Sequence, residues 1–393
     1  MAVRRIGVEE RRARLGRRHH LAPGAEAGSP VEAASSMVGL HGTDPASVYL
    51  AVAARMPSAQ PATIERALYD DRRLVRLLGM RRTMFVVPLD LAPVVQAGVT
   101  RAIAVQQRRR TEQLLAQSGI CDDPSSWFKE VEEATVQVLA EHGEGTAAEL
   151  SVHEPRLREQ IRLAEGKSYA ASQSVVTRVL LQLAADGRVI RGRPRGSWIS
   201  SQYRWAPIEA WLEGGIDELE TPVAQAELVR RWLASYGPGT AADLKWWTGW
   251  TVGEAKRALA AVGAVEVELD GAAGLVLPDD AEPVEEAGPW VALLPALDPT
   301  VMGWAGRDWY LGGHGPTLFD RNGNAGPTIW CDGRIVGGWA QRKDGEIAWR
   351  LLEDVGADAT RSIAEAADRL RAWIGPVRVT PRFRTPLERE LSA

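Results

Sequence analysis

The chain is poor in the residues that usually disclose chemistry. Its 393 residues include two cysteines, six histidines and four phenylalanines. Cys121 and Cys331 are far apart and lack metal-ligand spacing, which argues against a disulfide framework and against structural zinc, and suits a reducing cytoplasm. No apolar run approaches the roughly 18 residues that a membrane span needs. The arginine-rich start lacks the apolar stretch of a secretory signal. A Walker-type glycine loop, an HExxH helix and a GxSxG elbow are all missing, so no phosphate-transfer, metalloprotease or serine-hydrolase reading is available. No cofactor or metal is expected.

What is present is unevenly distributed. Residues 1–205 hold 29 Lys+Arg against 22 Asp+Glu, whereas residues 206–393 hold 18 against 29. The formal charge of −4 therefore hides a basic half, nearly all arginine, joined to an acidic one. Arginine contacts phosphates bidentately, so this asymmetry suits a nucleic-acid-binding protein. None of the 15 tryptophans precedes Trp127 and seven lie between Trp290 and Trp373, which supports a domain division. A chain of this length exceeds a single core.

One local pattern recurs three times: helices with apolar residues three and four apart, a tight turn, then two short strands. The first copy predicts a helix at 62–73 and strands at 74–80 and 84–87. The second predicts a helix at 172–186 and strands at 188–191 and 198–203. The third predicts a helix at 252–262 and strands at 264–269 and 274–277. Further helices precede each copy, the form of a winged helix. After the acidic stretch 279–288, short strands and Asp-Gly turns predict a small antiparallel β domain or barrel, closed by a helix at 359–373 and a loose tail from Arg382. The expected fold is thus α+β: three tandem winged-helix domains (1–120 with an N-terminal arm, 121–215, 216–280) and a β-rich domain (289–393).

His41-Gly42-Thr43-Asp44-Pro45 gathers an imidazole, a hydroxyl and a carboxylate before a helix. Pro45 suits the first helical turn and Asp44 the N-cap, while Gly42 relaxes the backbone. Arg72, Arg73, Arg76, Arg81 and Arg82 surround the first strand pair. Arg188, Arg191, Arg193 and Arg195 flank the second hairpin turn, where a basic wing suits a phosphate backbone. Trp246, Trp247 and Trp250 read as packing residues. His19 and His20 extend the N-terminal arginine cluster.

Val38–Pro45 with 51–56, and Arg72–Arg76 leading into Met80–Pro88, resemble the AlkZ/YcaQ-like winged-helix DNA glycosylases. So do Tyr236–Leu244 with Trp247–Gly249, Leu293–Pro299 and Asp332–Trp339, in the same order along the chain. The resemblance implies removal of alkylated or crosslinked purines from double-stranded DNA, without metal or cofactor, while three non-identical units in one chain favour a monomer. It also implies a catalytic pair of polar residues flanking one small or apolar residue, commonly Gln-x-Gln or Gln-x-Asp. His41 and Thr43 occupy that position, with Asp44 one residue beyond. The competing reading from the same motifs is a non-catalytic winged-helix regulator.

Overall fold

The structure, a computed structural model, describes residues 3–163 and 171–393. Its helices and small antiparallel sheets follow local sequence signals closely in most places. Asp44 caps the helix Pro45–Arg55, with Pro45 in its first turn, as the sequence predicts. The next helix, Pro61–Glu65, continues as a wider turn over Arg66–Asp70. Strands Leu74–Leu78 and Met84–Pro88 pair antiparallel, and the outer side of the latter takes a two-residue strand, Leu40–His41. That short strand is too brief to leave a period in the sequence, yet it carries His41.

The second unit has helices Pro124–His142, Ala147–His153 and Val175–Ala185. Thr146 and Glu149 form a capping box, each satisfying the other's backbone amide. Strand Val189–Pro194 is where the sequence predicts one, but its partner is Tyr203–Pro207 rather than 198–203. Trp198 is the reason for the shift. It leaves the sheet and plugs the core between Tyr49 and Trp373, with ring centroids at 5.3 and 5.6 Å. Strands Gln160–Leu163 and Ala171–Ser174 also pair, and sequence patterning did not reveal them.

In the third unit, capping boxes at Thr240 and Thr251 start the helices Ala241–Thr248 and Val252–Ala261. Strands Val265–Leu269 and Ala272–Val276 turn through Asp270 and Gly271, both at positive φ, which matches the right-handed twist of a tight hairpin. The chain's first residues join this hairpin: Ile6 donates its N–H to the Glu268 carbonyl, and Glu268 donates its own to Arg4.

Strands Val291–Leu294, Thr328–Cys331, Arg334–Gln341 and Ile347–Leu351 form a four-stranded antiparallel sheet in chain order. It is an open sheet, not a closed barrel. Helix Ala357–Ile374 covers its outer strands. The tail is ordered rather than loose: Thr385, Leu387 and Glu388 are buried, and Pro386–Leu391 is helical.

One apolar core runs from Leu15 to Leu391 and joins the first unit, the hairpin of the second unit with Trp198 and Trp211, the third unit and the C-terminal sheet. The second unit keeps a separate core around Leu115, Phe128 and Val179. Among the described residues no helix is long and apolar enough to cross a membrane.

The N-terminal arginine cluster is not a free arm. It forms the helix Val8–Arg18, and Arg14, almost fully buried, binds Glu10 and Asp280. Arg18 binds Asp280 as well, and Arg17 donates to the Glu286 carbonyl. Much of the basic excess of the first half is therefore matched internally by the acidic stretch after the third unit. His19 is fully buried, not a solvated partner of the arginines, with Nδ1 2.9 Å from Thr300 Oγ1.

Candidate active site

His41 ends the short strand Leu40–His41, and Thr43 follows two residues later in a bend. His41 sits opposite Phe85 in register, and Gly42 donates to the Met84 carbonyl at 2.7 Å. Gly42 is not at positive φ; what the position requires is space. A Cβ there would meet the Arg76 guanidinium at 3.2 Å and the Met84 carbonyl at 3.4 Å. Thr43 Oγ1 accepts the Met84 amide at 3.3 Å.

The two side chains open into neighbouring cavities. His41 lines one of about 330 Å³ with Arg81, Trp246, Arg307, Asn322 and Asn324. Thr43 lines one of about 600 Å³ with Arg82, Gln106, Arg110 and Arg178. Thr83 borders both, which makes the pair two stations on one cleft.

His41 is 5% exposed, and its Nδ1 has no hydrogen-bond partner. Burial, reinforced by the positive charge of Arg81, pushes its pKa down to about 3. At neutral pH it is therefore an uncharged imidazole at the edge of the cavity, with Nδ1 buried and unpartnered. Such a group can orient a water by hydrogen bonding. It is a poor proton acceptor, because a base is effective when its pKa lies near the working pH.

Asp44 is separate from this pair. One carboxylate oxygen caps the helix through the Ala46 amide at 3.2 Å, and the other accepts the Arg382 amide at 2.9 Å. Its carboxylate borders a different, nearly filled cavity formed with Pro295, Ala296 and Trp339. Burial raises its pKa against the pull of those two amides. Asp44→Ala should cost about 1–2 kcal/mol of stability in chemical denaturation. Asp44→Asn should leave the activity of this cleft at the wild-type level. A fall as large as that of His41→Ala would move Asp44 back into the chemistry.

The arginines divide into two groups. Arg188 binds Glu133, Arg193 binds Glu65 and Asp70, and Arg195 binds Glu149. Arg191 lies over Tyr203 and Trp205, and burial lowers its pKa to about 10. The second wing is thus largely engaged with this protein's own groups. Arg72 donates to the Ala210 and Trp211 carbonyls and stacks on Trp211. Arg76 is buried against Tyr203 behind Gly42, and Arg73 is exposed. Of the nine arginines singled out from sequence, Arg81 and Arg82 line the cleft. Arg110, Arg178 and Arg307 join them there, and single-sequence patterning missed all three. Among the described residues none of these five has a carboxylate within ion-pair distance.

Arg81 and Arg82 both hold positive φ, at 54° and 61°, in the turn between strands Leu74–Leu78 and Met84–Pro88. Left-handed backbone costs an ordinary residue roughly 1–2 kcal/mol, so the surroundings must enforce it. The third unit supplies the enforcement. Trp246 stacks under Arg81 with the guanidinium carbon 3.9 Å from the ring centroid. Gly249, itself at φ 78°, would place a Cβ 3.6 Å from the Arg81 backbone. Trp247 and Trp250 are buried packing residues as the sequence indicated, whereas Trp246 is half-buried and lines the cleft.

The model of the family described as "DNA glycosylase AlkZ-like" matches residues 34–373. The chain belongs to the AlkZ-like DNA glycosylase family. As an AlkZ-like protein it has DNA as its substrate, and the regulator reading is not favoured. No curated protein sequence matches it. Among solved structures, DNA glycosylase AlkZ of Streptomyces sahachiroi is similar, with a TM-score of 0.71, 18% identity, and coverage of 94% of this chain and 97% of that one. At that identity the likeness establishes a shared fold. Every segment that carried the resemblance in sequence up to Trp339 falls inside the matched range or in the cleft and its supports.

Proposed function

We propose that this AlkZ-like protein is a monofunctional glycosylase that hydrolyses the N-glycosidic bond of alkylated or crosslinked purines in double-stranded DNA. In this reading a monomer carries three winged-helix units (1–120, 121–215, 216–280) and a β-rich domain (289–393), and works without a metal. The observation that carries it is the uncharged His41 beside Thr43 on a cleft lined by arginines that are paired with no carboxylate among the described residues.

An N7-alkylated purine already bears a positive charge. Its bond to the sugar breaks with the electron pair passing to the base, which leaves neutral. Water then adds to the sugar carbon and releases a proton to solvent. Such a reaction asks the protein to orient a water and to hold the nucleotide in place more than to move protons. His41 through its uncharged imidazole, and Thr43 through its hydroxyl, hold the water; Asp44 keeps the preceding turn rigid as a cap. Gln in the usual family pair is also an uncharged hydrogen-bonding group, so burial gives His41 the same character.

The test is release of free 7-methylguanine from methylated duplex DNA by the full chain. Release above the spontaneous rate is expected. No release at enzyme in excess over DNA, with duplex binding retained, would overturn this reading.

A further inference from the structure

Arg81 and Arg307 both lie against the Trp246 ring, their guanidinium carbons 3.9 and 4.8 Å from its centroid. Arg307 is tied through Nε to the Trp304 carbonyl at 2.9 Å and stacks on Phe319, which fixes its direction. Arg81 Nε is buried without a partner. Burial and then Arg307 lower the pKa of Arg81 to about 10. A second couple stands on the Thr43 side. Arg110 belongs to the helix Arg101–Ser118 and Arg178 to the helix Val175–Ala185, and both face the larger cavity. Burial and then Arg110 lower the pKa of Arg178. Arg178 Nε is held by Gln173 at 2.8 Å, again a neutral anchor.

Elsewhere the described structure pairs most of its buried arginines with carboxylates, Arg14 and Arg55 among them. Arg81, Arg178 and Arg307 are half-buried and rest on neutral groups, with Arg110 exposed beside Arg178, a setting that favours an anion between the members of each couple. Thr83 stands on the border between the cavities, with His41 on one side and Thr43 on the other.

We propose that Arg81 with Arg307, and Arg110 with Arg178, are two phosphodiester clamps that grip one DNA strand on either side of the nucleotide presented at His41 and Thr43. This rests on the glycosylase reading for which nucleotide lies between them, but not for the clamps themselves. With no carboxylate among the described residues that line the cleft, the anions on hand for a cationic sugar are then the substrate's own phosphates. The paired wing arginines are not part of the grip.

The experiment measures binding of the full chain to an undamaged duplex by fluorescence anisotropy across a salt series, so that it needs no base release. Neutralising one phosphate contact changes the slope of log K against log salt by about 1. Arg307→Gln and Arg178→Gln should each lower the slope by that amount, and the double variant by about 2, since each acts on a separate phosphate. Arg307→Lys, which keeps the charge, should restore the slope. Arg195→Gln, at a carboxylate-paired arginine, should leave it unchanged. Unchanged slopes in the first two variants overturn the proposal. So does an equal loss in Arg195→Gln, or an Arg307→Lys variant as weak as Arg307→Gln, which would mean a structural role. Inorganic phosphate added as competitor should displace the duplex only as its ionic strength does. Specific displacement at low concentration would make the site one for the free anion and overturn the strand grip. Absence of base release with altered slopes would instead count against the glycosylase reading alone.

Discussion

Replacing Asp298 with alanine should lower the unfolding free energy by about 3–5 kcal/mol, the cost of leaving a buried charge without its partner. Asp298 and Arg55 are both fully buried and joined by two hydrogen bonds, at 2.7 and 2.9 Å. Arg55 also reaches Thr300 Oγ1 at 2.7 Å and the Ala51 carbonyl at 2.9 Å. The pair locks the end of the helix Pro45–Arg55 to the segment that follows the first strand of the C-terminal sheet, and Ser47 adds a bond to the Ala296 carbonyl at 2.7 Å. The helix that begins just after His41 is thereby fixed at both ends. This explains the Leu293–Pro299 motif, whose acidic residue serves structure rather than chemistry. Removing both charges together, as Arg55→Met with Asp298→Leu, should cost far less than Asp298→Ala, because no charge is left stranded. Urea unfolding of the full chain checks both. A loss under about 1 kcal/mol in Asp298→Ala would mean that water reaches Arg55.

The second large effect is on the reaction. His41→Ala should slow single-turnover release of 7-methylguanine by about 100-fold, the usual loss when one positioned hydrogen-bonding group is removed. Duplex affinity should be retained, since the imidazole carries no charge to lose. The same burial has a consequence for stability. His41 has a folded pKa of about 3 against an ordinary 6.5, and that of His19 is also well below 6.5. Between those values the unfolded chain binds protons that the folded chain refuses, so stability falls as pH drops from about 6.5 toward 3. His41→Gln should therefore reduce the acid sensitivity of the unfolding midpoint. An unfolding midpoint with the same acid slope in wild type and variant would contradict the buried neutral state.

Much of this arrangement is legible in the sequence because its determinants are local. Asp44 and Pro45 announce a helix start within two residues. The strands Val291–Leu294 and Thr328–Cys331 are bounded by turn residues and fall where their pattern places them. What was not legible depends on distance along the chain. The arginines of Val8–Arg18 find their carboxylates in residues 279–288, so a count of charge in the first half overstated the positive surface. The hairpin arginines Arg188, Arg193 and Arg195 looked free for phosphate because Glu133, Glu65, Asp70 and Glu149 lie on other elements. Arg110, Arg178 and Arg307 come from three segments that meet only in the fold. Trp198 looked like the start of a strand because a lone aromatic between turns carries no sign of which core it will enter.

On the proposed reading, burial makes His41 an uncharged hydrogen-bonding residue in the place of the family's glutamine. The most direct measurement compares 7-methylguanine release by wild type, His41→Gln and His41→Ala between pH 5 and 8 under single turnover. His41→Gln should retain most of the wild-type rate, His41→Ala should not, and the wild-type rate should show no titration near 6.5. A glutamine variant as slow as the alanine variant, with a wild-type rate that rises through a pKa near 6.5, would contradict that reading.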